Sequence, residues 1–182
     1  MSRLVAVSLL ALSSVPLVQA NDDLKGIGLG GTVGTFTPTG SKLRDAFGAN
    51  RFKIGFRPVA PKEFPNRWLP DVGVDAISAE RRDNRLFILP VTFGVVKRFG
   101  NPKDFIRPYV RVGAGVAYMD YAFDSGGRRI AAKRFGPTGN LEAGLRITDR
   151  VRISATYHVF PEYDETKFDG IELSLTYTVF KF

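Results

Sequence analysis

The sequence contains no cysteine and a single histidine, His158. The absence of cysteine excludes disulfide bonds and thiolate metal sites, and the lone histidine excludes a zinc site built from several histidines. Beyond residue 20 the chain also lacks any apolar run near the ~20 residues that a membrane-spanning helix needs. A membrane-spanning form of residues 21–182 therefore has to be a closed β-barrel, the other structure that satisfies every backbone hydrogen bond in lipid.

The first 20 residues have the layout of a secretory signal peptide. One positive charge, Arg3, precedes an apolar run at residues 4–12, and Pro16 interrupts the run before the small residue Ala20. A transmembrane anchor would need a longer uninterrupted run. We therefore predict that residues 1–20 are cleaved and that residues 21–182 form one exported domain.

The clearest pattern in the exported part is an alternation of apolar and polar residues. In residues 141–147, 151–159 and 171–177, aliphatic and tyrosine side chains alternate with Glu, Arg, Ser, Thr and His. A period of two residues predicts β-strands with one apolar face. In a soluble sheet that face would line a core, whereas in a transmembrane barrel it faces lipid. The export signal and the repeated spacing favour the second arrangement.

The strand pattern recurs along the whole exported part. It predicts an all-β fold, an eight-stranded antiparallel up-and-down transmembrane β-barrel, because segments of this length suit tilted strands of ~9–11 residues. The predicted strands are residues 24–36, 51–59, 71–78, 85–99, 106–121, 141–147, 151–159 and 171–177.

The connections between these strands indicate an orientation. The longer ones, at residues 37–50, 122–133 and 161–169, are predicted to lie outside the cell, and the tight turns at 100–104 and 148–150 in the periplasm. Two other connections fit this orientation less well, since residues 60–70 are long for a periplasmic turn and residues 79–84 are short for an outer loop. In the first long loop, a helical turn is predicted with Ser41 as its N-cap and Gly48 at its end.

Several segments resemble the small eight-stranded outer-membrane β-barrels, the OmpA/OmpW-like barrel domains. They are LPVTFGV at residues 89–95, PYV followed by VGAGV at 108–116, and the closing LSLTY at 173–177 followed by a terminal Phe182. The resemblance covers essentially all of residues 21–182. It implies a monomer in the outer membrane of a diderm bacterium, and a C-terminal strand whose Phe182 is read by the barrel-assembly machinery.

The closing strand departs from that family in one respect. Such barrels keep the aromatic residues of the last strand and the terminal Phe in one phase, whereas Tyr177 and Phe182 have opposite parity. Either a bulge within residues 178–180 resets the phase, or the last residues leave the ladder.

Charged residues are predicted to fill the lumen. An eight-stranded barrel is only wide enough inside to be filled by side chains, and an unpaired charge there would be costly. A stacked network of basic and acidic side chains is therefore expected, with arginines lying between Glu142 and Glu172. Its predicted members are Lys53, Arg57, Asp75, Arg107, Arg111, Glu142, Arg146, Arg152 and Glu172.

A glycine-rich segment near the start of the exported part matches GxGxxG through Gly26, Gly28 and Gly31. A dinucleotide site would need a helix after the motif and an acidic residue ~20 positions further on, and no helical period follows. We interpret these glycines as lumen positions that leave space for long Arg and Lys side chains.

His158 is the one candidate for catalysis. It is predicted on the lumen face of the seventh strand near the outer rim, with Glu162, Asp164 and Glu165 just beyond. Lipid A deacylases of the outer membrane, also eight-stranded, resemble this region, and their catalytic histidine is followed two residues later by serine. Here that position is Phe160, so the nucleophile is missing. We predict no catalytic residue, no metal and no cofactor, and a histidine hydrogen-bonded to a carboxylate.

The charge balance bears on partners. The 26 Lys and Arg residues exceed the 18 Asp and Glu residues, but they are dispersed along the chain, which disfavours nucleic acid as a partner. Outer-membrane lipid and lipopolysaccharide phosphate are better suited to such a surface.

Three functional classes stay open at this point. The first is a non-enzymatic barrel with a structural, envelope-integrity or surface-interaction role. The second is an enzyme that modifies lipid A or phospholipid, and the third is a soluble ligand-binding barrel, which would need an apolar lumen. If the lumen conducts at all, its surplus of basic residues predicts a small pore that prefers anions.

Overall fold

The computed structural model, which describes residues 28–59, 67–101 and 104–181, is a closed barrel. Eight antiparallel strands pair in chain order, and β1 pairs with β8 to complete the ring. The strands are β1 Gly28–Pro38, β2 Arg51–Val59, β3 Trp68–Arg81, β4 Asn84–Arg98, β5 Arg107–Ser125, β6 Arg128–Arg146, β7 Val151–Val159 and β8 Gly170–Lys181. The helix α1 spans Ser41–Phe47. The predicted fold class is thereby confirmed.

Parts of the sequence predictions lie outside the described residues. They include the predicted signal peptide, Gly26 and Phe182. Within the described part of the chain, no helix combines the length and the apolar character needed to cross a membrane.

The apolar face of the barrel points outward, as the alternation predicts. The side chains of Leu141, Leu145, Ile153, Leu173 and Leu175 are between 39% and 61% exposed. Of the polar residues that alternate with them, Arg152 is half-buried, and the following are buried: Glu142, Arg146, Ser154, Glu172 and Ser174. A soluble barrel would have the reverse arrangement. The outward face is therefore built for contact with lipid rather than with water.

Aromatic residues mark the two borders of this outward apolar belt. Phe87 on the outward face of β4 and Phe99, which directly follows β4, lie twelve residues apart and are both exposed. At ~3.3 Å per residue and a tilt of ~35–45°, this separation spans roughly 30 Å, the thickness of a bilayer's hydrocarbon core. Lys97 Nζ lies 5.8 Å from the centre of the Trp68 ring and 5.6 Å from that of Phe99, so a basic group accompanies the aromatic border on that side.

The barrel has two unlike ends. The loop end carries the two longest connections, the one that contains α1 and the one between β7 and β8, together with the short β3–β4 and β5–β6 turns. The turn end carries the β2–β3 and β4–β5 connections and the tight turn at residues 147–150. Between β5 and β6 the chain turns at Gly126 and Gly127, whose φ angles of 58° and 76° suit glycine.

Several predicted element boundaries are corrected by the structure. The sixth strand begins at Arg128 rather than at residue 141, and the third occupies Trp68–Arg81 rather than residues 71–78. The predicted loop at residues 122–133 is therefore a strand hairpin. The extra residues leave the apolar belt, so their two faces are both polar or mixed and the alternation that would reveal a strand is lost. Ser41 is the first residue of α1, not its N-cap, which is Gly40.

The phase break in β8 is a bulge. Leu29 faces Phe180 while Gly30 faces Thr178, so Val179 is an extra residue in the ladder with β1. Val179 and Phe180 are both outward and exposed, 55% and 57% respectively. Because Gly28 still faces Lys181, pairing resumes after the bulge, and the first of the two predicted alternatives is correct.

Candidate functional site

Charged side chains fill the middle of the lumen and form what we term the central network. Lys53 Nζ lies 2.6 Å from Asp75 Oδ1 and 2.7 Å from Glu172 Oε1. Arg57 pairs with Glu142 and lies 3.3 Å from Asp75 Oδ2. All five side chains are at least 97% buried. Since every carboxylate has a cationic partner, the cost of burying each charge is offset.

Arg111 extends the central network toward the turn end. It pairs with Asp71 and donates hydrogen bonds to Asn140 Oδ1 at 2.6 Å and to Thr92 Oγ1 at 2.9 Å. Asp71 is absent from the residues predicted for the lumen. The sequence pattern could have identified Asp71 as a lumen residue, because it lies four residues before Asp75 and therefore on the same face of β3.

The two lumen glutamates do not form an acid pair. Glu142 is bound by Arg57 and accepts a hydrogen bond from Tyr109 Oη at 2.6 Å. Glu172 is bound by Lys53 and by His158. Different cations hold the two carboxylates, so neither is placed to act with the other as general acid and base.

The remaining predicted lumen residues gather at the turn end. Arg107 Nη2 lies 2.9 Å from Asp149 Oδ1, and Arg146 Nη2 lies 3.4 Å from the same oxygen. The Arg152 guanidinium lies 5.8 Å from the centre of the Tyr109 ring. The close contacts of these three arginines are therefore with the tight turn and an aromatic ring. Arg98, which the sequence pattern does not single out, is buried beside them.

His158 is fully buried and its partner is Glu172, whose Oε2 lies 2.8 Å from His158 Nε2. The predicted lumen-face position on β7 and the predicted contact with a carboxylate are therefore both found, and two aromatic rings flank the imidazole. Phe160 stacks on the imidazole with centroids 5.9 Å apart, and Phe36 meets it edge-on at 6.0 Å.

The same region contains a possible metal-ligand set. Asp75, His158 and Glu172 each bring one ligand atom to within 4.8 Å of the others. However, Lys53 Nζ already lies within 2.7 Å of both carboxylates. The lysine ammonium thus provides the positive charge that a metal ion would otherwise supply at this place.

The loop-end half of the lumen is apolar, which corrects the prediction of a charged network throughout. Leu43, Ala46 and Phe47 of α1 are buried in this half. The barrel wall and the β7–β8 connection supply the rest of this loop-end core: Phe36, Ile77, Ala79, Leu86, Ile88, Ala117, Met119, Tyr121, Phe123, Phe160 and Phe168. One sequence signal is the run Phe87, Ile88 and Leu89, where both phases of a strand are apolar.

The described part of the GxGxxG match lies in a strand. Gly28 and Gly31 belong to β1, and the next helix begins only at Ser41. Gly31 has the outward phase, and a Cβ added to it would have nothing within 4 Å, so it does not make lumen space. Gly55, by contrast, does leave lumen space for a neighbouring side chain, because a Cβ at this position would lie 2.1 Å from Asp75 Oδ1.

We expect Gly55→Ala to destabilise the barrel by about 1–3 kcal/mol, because the added methyl group displaces the Asp75 carboxylate from Lys53. The free energy of unfolding can be measured by urea titration in liposomes. Gly31→Ala is the matched control, since its methyl group meets open space. Equal stability of the two variants would contradict the lumen packing described here.

At the loop end, residues 119–134 of β5 and β6 form what we term the projecting hairpin. β6 pairs with β7 only from Gly139 onward, where it faces Val159, while β5 and β6 remain paired out to Ser125 and Arg128. A row of outward aromatic residues lies at its base. Tyr118 has ring-centre distances of 6.5 Å to Phe87 and 4.9 Å to Phe135.

Charged residues of the projecting hairpin lie beyond this aromatic row. Asp120 is shared by Arg85 and Lys133, at 3.4 Å and 3.5 Å, and Arg129 lies 3.3 Å from Asp124. Except for the partly covered Asp120, these side chains are well exposed, so each pair contributes under ~1 kcal/mol.

A membrane-facing belt, a closed eight-stranded ring and a side-chain-filled lumen define an outer-membrane type of β-barrel. The family model for the outer membrane protein beta-barrel domain matches residues 5–178. The chain belongs to this family, whose members are outer-membrane proteins of Gram-negative bacteria. No curated protein matches the sequence.

Solved structures of small outer-membrane barrels share this fold. Neisserial surface protein A is 10% identical, with a TM-score of 0.53 over 83% of this chain and 93% of that one. Ail, the attachment invasion locus protein of Yersinia pestis, is 20% identical, with a TM-score of 0.51 over 84% and 95%. The outer-membrane enzyme PagL is 14% identical, with a TM-score of 0.54 over 83% and 99%. At these identities the likeness concerns the fold alone.

Proposed function

We propose that this protein is a non-enzymatic outer-membrane barrel with a surface-interaction role, in which a sealed, rigid barrel anchors the projecting hairpin. The observation that supports this most directly is the filling of the lumen along its length. The central network occupies its middle, the loop-end core under α1 closes the side toward the loops, and buried arginines lie at the turn end. A barrel filled in this way is suited to display its loops rather than to transport a solute.

The orientation belongs to the same proposal. We place the loop end outside the cell and the turn end in the periplasm, because short turns face the periplasm in bacterial outer-membrane barrels. The outward aromatic row and the basic groups of Arg85 and Lys133 then lie at the level of lipopolysaccharide phosphates. Outer-membrane lipid and lipopolysaccharide are accordingly the surroundings of the barrel.

The enzyme alternative is supported less well by the geometry. Acyl transfer at the rim needs a nucleophile and a base that lipid can reach. The base would be His158, which is fully buried and bound to Glu172, and the position two residues beyond it is Phe160, which is 5% exposed. Neither side chain meets the lipid-facing surface.

Two measurements on the purified protein test the proposal. In planar bilayers we expect no sustained conductance, because both halves of the lumen are filled. With lipid A or phospholipid vesicles we expect no release of acyl chains. Stable single-channel steps would favour the pore, and anion preference would be its expected selectivity. Acyl release that disappears in His158→Ala would instead establish an enzyme.

A further inference from the structure

The projecting hairpin presents an unpaired strand edge. From Arg128 to Arg134, β6 is paired with β5 on one side, and in the part of the chain that the structure describes no strand pairs with its other side. Every second residue of such an edge directs its backbone N–H and C=O groups away from the hairpin. The edge ends at Phe135, whose carbonyl accepts a hydrogen bond from Tyr163 Oη at 3.3 Å.

A groove of about 520 Å³ runs beside this edge. Arg128, Arg129 and Ile130 of the edge form one wall, and Lys42 of α1 with the turn at Asp164 and Glu165 forms the other. The groove is polar, and it is the space into which an additional strand beside β6 would extend. Edge and groove are thus two separate observations at the same place.

The charges along the edge define the kind of strand that fits. Residues 128–136 contain four basic residues and no acidic one. Lys42 adds a fifth basic group across the groove, paired at 3.3 Å with Glu165, whose side chain is 91% exposed. Acidic groups are also present: Asp164 accepts a hydrogen bond from Tyr121 Oη at 2.8 Å, and Asp124 is paired with Arg129.

Basic residues on a strand edge disfavour pairing with an identical edge, because like charges would face each other. A second copy of this chain is therefore a poor occupant. An extended segment rich in Asp or Glu meets complementary charge while its backbone completes the open hydrogen bonds.

We propose that the free edge of β6 from Arg128 to Arg134, with the groove beside it, binds an extended acidic segment of a partner polypeptide as an added strand. This inference rests on the proposed function, because it requires the loop end to lie outside the cell. To the proposed surface-interaction role, the inference adds an acidic partner segment and the backbone pairing by which β6 binds that segment.

The test uses the full protein in lipid nanodiscs and a fluorescent peptide of alternating threonine and glutamate. We expect saturable binding, and amide hydrogen exchange within residues 128–134 at least tenfold slower with peptide than without. A peptide with proline at alternate positions and the same charge lacks the N–H donors and should bind at least tenfold more weakly. Equal binding of both peptides would mean attraction of charge alone and would overturn the added strand.

A pair of charge reversals provides the matched comparison. Arg128→Glu lies on the edge and should weaken peptide binding at least tenfold, whereas Arg85→Glu lies on β4, across β5 from the edge, and should change it less than twofold. Equal losses in both variants would overturn the assignment to the edge.

Three further results would also overturn the inference. The first is slower amide hydrogen exchange at the edge that occurs only when the protein self-associates. The second is a sulfated polysaccharide that displaces the peptide without slowing this exchange. The third is the absence of any peptide binding. In each case the proposed function is judged separately, by the conductance and acyl-release measurements.

Discussion

Leu173→Arg is expected to prevent or strongly retard insertion of the barrel into liposomes. Leu173 is 61% exposed on the outward face of β8, within the apolar belt. An arginine on the lipid-facing surface near the midplane costs about 2–4 kcal/mol, a large share of the stability of a small domain. The folded fraction can be followed by the gel mobility of unheated samples, since a closed barrel resists detergent until boiled.

The matched control is Ser125→Arg at the tip of the projecting hairpin. Ser125 ends β5 beyond the aromatic row, so its new charge is expected to remain in water. This variant should insert like the unaltered protein. If Leu173→Arg also inserted normally, the outward face would not be in contact with lipid.

Glu142→Gln is expected to lower the free energy of unfolding by about 3–5 kcal/mol. The substitution leaves the buried Arg57 guanidinium with Asp75 as its remaining anionic partner, at 3.3 Å, and removes the charged acceptor of Tyr109 Oη. Removing one partner of a buried ion pair costs this much because the other charge stays in the interior. Urea titration in liposomes measures the change.

Asp124→Asn is the matched change of a carboxylate to an amide in an exposed pair, with Arg129 at 3.3 Å. It should cost less than ~1 kcal/mol. Adding Arg57→Met to Glu142→Gln should recover part of the lost stability, because the uncompensated charge is then gone. A loss for Glu142→Gln no greater than for Asp124→Asn would mean that the central network is solvated.

The sequence predicts the barrel well where lipid sets the pattern. For β7 the predicted and observed bounds are the same, because Ile153 and its outward neighbours must be apolar and Ser154 and its inward neighbours must not. Beyond the belt this constraint ends. Ala131 and Arg129 both lie on the outward face of β6, but one is apolar and the other is charged. The alternation of polarity is therefore lost, and the hairpin could not be recognised as a pair of strands.

The contents of the lumen are only partly predictable from sequence. Phase alone assigns Lys53 and Glu172 to the interior, but it does not say which charges meet. The pairing of His158 with Glu172 arises because Gly170 of β8 faces His158 and places Glu172 beside Thr156. Likewise, the loop-end core depends on where α1 packs, which a strand pattern does not reveal.

The position of Glu172 on the last strand has a consequence for how the barrel reaches its final register. Lys53 on β2 and His158 on β7 are joined through this one carboxylate, so their contacts are complete only when β8 closes the ring. A slip of β8 by one residue would turn Glu172 into lipid and Leu173 into the charged interior. A misaligned last strand is therefore disfavoured for two reasons, because it exposes a buried carboxylate to lipid and leaves Lys53 and His158 without their partner. The buried ions thus favour closure of the barrel in the correct register.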